Sequence, residues 1–173
     1  MMQMLEAAGV PLLADDLRAP DPDNPRGYYE LAAVKGLAED ASFLDEAVGR
    51  GVKVVAPLVG KLPAGRAYRI VFMERDLEEV LASQEAMMER RGTVDEARRS
   101  AMAVAFRDLL EQVTGELVSR PDVEIRFFSH AMLLRLPDLV AARIAEFVGG
   151  IDPARIPAMA ACVDPALHRH RAR

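Results

Sequence analysis

Four short apolar runs alternate with helical segments along this chain, and that alternation limits the folds open to it. The runs are predicted strands at residues 10–14, 52–56, 68–73 and 123–128. Strands separated by helices indicate right-handed crossovers, and therefore a parallel sheet with helices on both faces. The sequence thus predicts an α/β fold with three layers, α/β/α. In such sheets ligands bind beyond the carboxyl ends of the strands, so the residues that follow each run are the candidate site.

The segments between the runs carry helix signals. Gly9 favours the left-handed backbone that ends a helix, and Asp76 and Thr93 each open a capping-box pattern. The predicted helices cover residues 1–8, 28–39, 42–48, 76–91, 93–119 and 137–148. No capping residue precedes the first of them, which predicts that sequence upstream of Met1 is missing; the alternative is a frayed N-terminal helix.

The composition is that of one globular domain. The chain has 173 residues, of which 51% are hydrophobic and 28% charged, so it can form a hydrophobic core and is not expected to be disordered. A formal net charge of −5 argues against a protein that coats nucleic acid. Cys162 is the only cysteine, which excludes an intrachain disulfide and favours a small buried hydrophobe. No signal peptide or membrane span is predicted, so we expect a cytoplasmic protein with no membrane partner.

The most informative segment is YRIVFMERDLEEVLAS, residues 68–83. Arg75 follows the predicted strand directly, and Ser83 lies eight residues later, two turns into a predicted helix. An arginine fork and a helix-side hydroxyl placed in this way can bind a phosphate group. The alternative is an ordinary helix pair of Arg75 with Glu79, with Ser83 as a surface residue.

This arginine–serine spacing resembles the motif with which sulfotransferases bind the 3′-phosphate of their donor, although Leu77 stands where the family often has proline. Other segments are similar to bacterial sulfotransferase-like proteins, in the same order: MMQMLEAAGVPLL (1–13), NPRGYYE (24–30), VKVVAPLVGKLP (52–63) and VDPALHRHR (163–171). The resemblance covers essentially the whole chain. It implies a single domain over residues 1–173 with the fold of the P-loop nucleoside triphosphate hydrolase superfamily. It also implies 3′-phosphoadenosine 5′-phosphosulfate as co-substrate, bound by Arg75 and Ser83.

Two departures from the family matter. The defining glycine-rich loop that binds the phosphosulfate has no counterpart, and the chain begins just downstream of where that loop is expected. Lys53 matches the strand lysine of the animal enzymes, but Val55 occupies the position of their catalytic histidine. The resemblance therefore implies an N-terminally truncated chain that does not catalyse sulfuryl transfer. Because the family's first strand lies between the strands at 52–56 and 68–73, we expect a gap or a direct pairing there.

An acceptor hydroxyl or amine needs a base near the strand ends. Glu30 and His130 are the candidate catalytic residues; the alternatives are a solvated glutamate that opens a helix and a structural histidine. No metal is expected, because no His/Glu pair has ligand spacing and the family uses none. The acceptor is a small molecule that the sequence does not identify. Two other functions stay open: a P-loop nucleotide-binding protein of the small-molecule kinase type, and a non-catalytic remnant or interaction module.

Overall fold

The structure is a computed structural model. It describes residues 1–15, 17–21, 24–76, 79–80, 96–164 and 166, with the side chains of 96–103 excepted. In the described residues, the α-helices whose two ends are defined are α1 Met2–Ala7, α2 Ala56–Val59, α3 Glu96–Val118, α4 His130–Arg135, α5 Pro137–Val148 and α6 Ile156–Ala161. The 3-10 helices cover Ala32–Gly36, Ser42–Asp45 and Pro153–Arg155. In this part of the chain no helix is long and apolar enough to span a bilayer.

The sheet consists of two parallel strands, β1 Tyr68–Glu74 and β2 Val123–Ser129. The register pairs Tyr68 with Val123 at one end and Glu74 with Ser129 at the other. Both strands were predicted, and each extends one residue beyond its predicted end. The chain is therefore an α/β protein with a small parallel sheet.

The predictions of strands at 10–14 and 52–56 are wrong. In this region the described residues form only an isolated parallel bridge between Leu12 and Gly51, the residue that precedes the second segment. Pro11 cannot donate a hydrogen bond to a ladder, and Pro57 favours the first turn of α2, which already includes Ala56. Within the described residues, no ladder joins 52–56 to β1.

The structure contains some of the predicted helices with nearly their predicted bounds and replaces others with shorter turns. Residues 137–148 form α5 with the predicted bounds, and Gly149 ends it with φ +74°. α1 is one residue shorter at each end than predicted, and Gly9 follows its C-cap residue Ala8 with φ +83°. The helices predicted at 28–39 and 42–48 shrink to short 3-10 turns. The helix predicted at 76–91 lies largely outside the described residues, as does the start of the one at 93–119.

The two faces of the sheet contribute to different apolar clusters. Val71, Met73 and Phe128 pack with residues of α1, α4, α5 and α6. On the other face, Ile70 and Ile125 pack with α2, α3 and the residues around Leu37 and Leu44. Alternate residues of a strand point to opposite faces, so each strand contributes to both clusters. This double coverage explains the apolar run of residues 70–73 in β1, all of them partly buried, whereas β2 keeps Glu124, Arg126 and Phe127 exposed.

Arg120 fastens the turn before β2 to the loop before β1. Its guanidinium donates to the carbonyls of Leu62 at 2.6 Å and Pro63 at 3.0 Å, and to both carboxylate oxygens of Asp122 at 3.0 and 2.7 Å. Asp122 also accepts from the backbone N–H of Gly65 at 3.1 Å. The contacts with Leu62, Pro63 and Gly65 hold the amino ends of the two strands together, and the bidentate, charge-assisted pair with Asp122 orients the guanidinium.

Candidate functional site

Arg75 follows the last residue of β1, where the chain turns into a helical segment. The carboxylate of Asp76 accepts from the N–H of Glu79 at 3.4 Å, and the carbonyl of Asp76 accepts from the N–H of Val80 at 3.0 Å. Asp76 therefore caps this turn as predicted. Arg75 Nε donates to Glu79 Oε2 at 3.4 Å, which is the helix pair that was the alternative for this arginine. Ser83 lies outside the described residues.

His130 stands at the corresponding position after β2. Ser129 caps α4, because its hydroxyl accepts from the N–H of Met132 at 3.3 Å. Since Glu74 and Ser129 are the last register pair of the sheet, Arg75 and His130 are the first residues beyond it on adjacent parallel strands. The register therefore brings these two predicted site residues to the same end of the sheet.

Both residues line one pocket, with a volume of about 280 Å³. Its apolar wall is formed by Met1, Met4, Met73, Leu133, Leu134 and Val163. Its polar lining is Gln3, Arg75, His130, Cys162 and Asp164. Ligand pockets of about 300–1,000 Å³ hold whole drug-sized molecules, so this one is of a size for part of a nucleotide. In the described residues no group of three His, Cys, Asp or Glu is placed to hold a metal ion.

Glu30 does not line this pocket. Its carboxylate oxygen Oε1 lies 3.2 Å from Arg18 Nη1 and 3.6 Å from Lys53 Nζ. Lys53 also donates to the carbonyl of Tyr28 at 2.9 Å, and the Arg18 guanidinium stacks 3.3 Å from the centroid of the Tyr28 ring. The structure thus brings Glu30 to the lysine that the family resemblance singled out, in a half-exposed cluster of two cations, a carboxylate and an aromatic ring.

Tyr29 holds the loop of residues 24–30 against α1. Tyr29 has φ +51°, an uncommon conformation for a residue with a side chain. Its hydroxyl donates to Glu6 on α1 at 2.8 Å. Burial raises the pKa of Tyr29, and the hydrogen bond to Glu6 raises it further. This contact holds the loop against the helix that also supplies the pocket with Met4.

Two residues at the pocket wall were not predicted from the sequence: Asp164, which lines the pocket, and Arg26, which contacts the wall from outside. Arg26 Nη1 donates to the carbonyl of Cys162 at 2.8 Å, and Arg26 Nη2 donates to the carboxylate of Asp164 at 3.0 Å. Cys162 is half-buried rather than buried, and its thiol donates to the carbonyl of Ala158 at 3.3 Å. Both Arg26 and Asp164 fall in segments that carry the family resemblance, but no local pattern links residues so far apart in the sequence.

Comparisons of this chain with models of known protein families, with curated proteins and with solved structures find no match.

Proposed function

We propose that this chain is a sulfotransferase-like protein and that its pocket binds the 3′-phosphate end of 3′-phosphoadenosine 5′-phosphosulfate. One observation carries the proposal: Arg75 and His130 meet in a pocket at the carboxyl end of a parallel sheet. This is the end at which α/β sheets bind their ligands. It is also the place that the resemblance gives to the arginine of the 3′-phosphate motif.

The residues of the pocket suit a phosphate attached to a nucleoside. The guanidinium of Arg75 can present two parallel N–H groups to a phosphate, and the imidazole of His130 can donate another. The methionine and leucine side chains beside them offer an apolar surface to a ribose or a base. Glu79 accepts a hydrogen bond from Arg75 and orients its side chain.

The proposal includes a three-layer P-loop nucleoside triphosphate hydrolase fold, of which the described sheet is a part. Helices on both faces of β1 and β2 support it, as does the parallel sense of the bridge between Leu12 and Gly51. The separation of residues 52–56 from β1 supports it as well, because the resemblance implies another strand between them.

In the reaction of the family that this chain resembles, a hydroxyl or amine of the acceptor forms a bond to sulfur, the bond from sulfur to the 5′-phosphate oxygen breaks, and a base takes the acceptor's proton. His130 shares its pocket with Arg75, which favours a contact with the 3′-phosphate over a role as that base. Glu30 lies beside Lys53 and Tyr28, in a cluster suited to the acceptor side. The catalytic roles of both residues stay predictions.

Titration calorimetry with 3′-phosphoadenosine 5′-phosphate tests the proposal. We expect binding to the 173-residue chain. Arg75→Ala should weaken it by about 1.5–3 kcal/mol, or about 10- to 150-fold, the range for hydrogen bonds to charged groups. Adenosine 5′-monophosphate, which lacks the 3′-phosphate, should bind the two proteins equally. Arg66→Ala is the matched control, because Arg66 makes an exposed ion pair with Asp45.

Two results would contradict the proposal. Absence of binding of 3′-phosphoadenosine 5′-phosphate would remove the assigned ligand. Equal weakening of both nucleotides by Arg75→Ala would show that Arg75 does not recognise the 3′-phosphate.

A further inference from the structure

Arg26 joins two segments that lie 138 residues apart in sequence. It is in the loop of residues 24–30, and both of its contacts are with the segment 162–164, which forms one wall of the pocket. One contact holds the backbone of this wall at Cys162, and the other holds the carboxylate of Asp164. The backbone of Cys162 and Val163 is also held by hydrogen bonds to Met159 and Ala160, but the carboxylate of Asp164 is held across the loop by this guanidinium.

We propose that the contacts of Arg26 with Cys162 and Asp164 form a latch whose closed state holds the carboxylate of Asp164 in the pocket lining and whose open state admits an anionic ligand. The inference deepens the proposed function and rests on it for the identity of the ligand. The latch itself is defined by this chain's own contacts, and it can be measured without a nucleotide.

The energetics of the pair suit a contact that opens. The side chains of Arg26 and Asp164 are 39% and 36% exposed, so water solvates both charges when they separate. Exposed ion pairs of this kind are weak and are screened by salt. A contact that holds the wall most of the time can therefore break on thermal fluctuation.

The charges explain why an anion would favour the open state. Asp164 places a negative charge in the lining that contains Arg75, so the closed pocket repels a phosphate. A phosphate that enters competes with Asp164 for arginine, and phosphate oxygens accept bidentate hydrogen bonds from a guanidinium as well as a carboxylate does. Opening removes the competing carboxylate and makes the guanidinium of Arg26 available to the ligand.

Alkylation of Cys162 by neutral iodoacetamide measures the latch directly. This residue is the only cysteine of the chain, and its thiol lines the pocket. We expect Arg26→Ala to raise the alkylation rate about two- to fivefold, the change in an opening equilibrium when an exposed ion pair is lost. Removing a nearby positive charge disfavours the reactive thiolate, so a faster reaction reports opening and not a more acidic thiol. Arg26→Lys keeps the charge but cannot form both contacts, and should react at an intermediate rate.

Arg66→Ala again serves as the control, because it breaks an exposed Arg–Asp pair elsewhere and should leave the rate unchanged. Circular dichroism and the melting temperature show whether each variant is folded. If Arg26→Ala does not fold, Asp164→Asn replaces it, with rates compared at the high-pH plateau where the thiol is fully ionised. A folded latch variant that alkylates at the wild-type rate overturns the proposal.

Binding of 3′-phosphoadenosine 5′-phosphate gives a second measurement. We expect Asp164→Asn to tighten it about three- to tenfold at low salt, with a smaller gain at high salt because screening reduces the repulsion. Unchanged or weaker binding in this variant contradicts the role of Asp164 in excluding anions. If neither the wild type nor the variant binds the nucleotide, the proposed function fails, and the alkylation rates still decide whether the latch exists.

Discussion

Arg120→Ala is expected to destabilise the chain more than any other loss of a surface charge discussed above. The arginine donates to two backbone carbonyls, those of Leu62 and Pro63, and holds Asp122 through two more hydrogen bonds. Its side chain is only 20% exposed, and Leu62 is buried, so water replaces these partners poorly.

The expected loss follows from the two carbonyl contacts. A hydrogen bond from a charged group contributes about 1.5–3 kcal/mol, and a buried acceptor left without a partner is penalised by a similar amount. Taking the lower value for each carbonyl gives about 3 kcal/mol in the free energy of unfolding. For a chain of this size that corresponds to a fall of about 6–12 °C in melting temperature. The guanidinium also lies 5.5 Å from the ring centroid of Tyr68, so the estimate is a lower bound.

Urea unfolding followed by circular dichroism measures this loss. Arg66→Ala is the control, because it also removes an arginine near β1, but one whose pair with Asp45 is exposed. It should lose less than about 1 kcal/mol. Equal losses in the two variants would show that the carbonyl contacts of Arg120 contribute no more than a surface ion pair, and would refute the reasoning.

Three further predictions concern acidity, backbone and turnover. The hydrogen bond from Arg120 lowers the pKa of Asp122 to about 2 from 3.8; its stabilisation should therefore be complete above about pH 5 and be lost as the pH falls through 2. Urea midpoints of the wild type should accordingly exceed those of Asp122→Asn at pH 6, and most of this difference should be lost at pH 2. Gly9→Ala should lower stability by about 1 kcal/mol or more, because φ is +83° and the new Cβ would lie 3.2 Å from the Arg155 guanidinium; equal melting temperatures would contradict this. Finally, the chain has no glycine-rich loop with a basic residue, so 3′-phosphoadenosine 5′-phosphosulfate should bind without being turned over; release of 3′-phosphoadenosine 5′-phosphate with any acceptor would refute this.

Local sequence patterns predicted the helices and strands whose start, end and apolar residues are all marked within the segment itself. The helix at 137–148 was found with its bounds because proline begins it, an apolar stripe covers one face and Gly149 ends it. β1 and β2 were found because each contains a short apolar run rich in β-branched and aromatic residues, although β2 keeps Glu124, Arg126 and Phe127 exposed. The strands at 10–14 and 52–56 failed because their apolar runs contain or adjoin prolines, and strand formation depends on a partner that local sequence does not show.

In the candidate site, too, some residues could be predicted from local sequence and others could not. Arg75 and His130 could be predicted because each directly follows a recognisable strand, and parallel strands end at one edge. The contact of Glu30 with Lys53, by contrast, depends on how an irregular loop folds back. Arg26 and Asp164 escaped prediction altogether, because a contact over such a sequence distance leaves no periodic signal. Tertiary contacts of this kind decide which charges meet in the pocket.

The contacts of Arg120 at the amino end of the sheet and the pocket at its carboxyl end are connected through the strand register. The N–H of Tyr68 donates to the carbonyl of Asp122 at 2.8 Å, so the turn held by Arg120 sets the first pair of the ladder. A slip of one residue would move His130 about 3.3 Å along the sheet relative to Arg75. It would also send each side chain of the slipped strand to the opposite face, which the two apolar clusters oppose. Loss of the Arg120 contacts in Arg120→Ala should therefore weaken nucleotide binding at the carboxyl end of the strands, although Arg120 itself does not line the pocket.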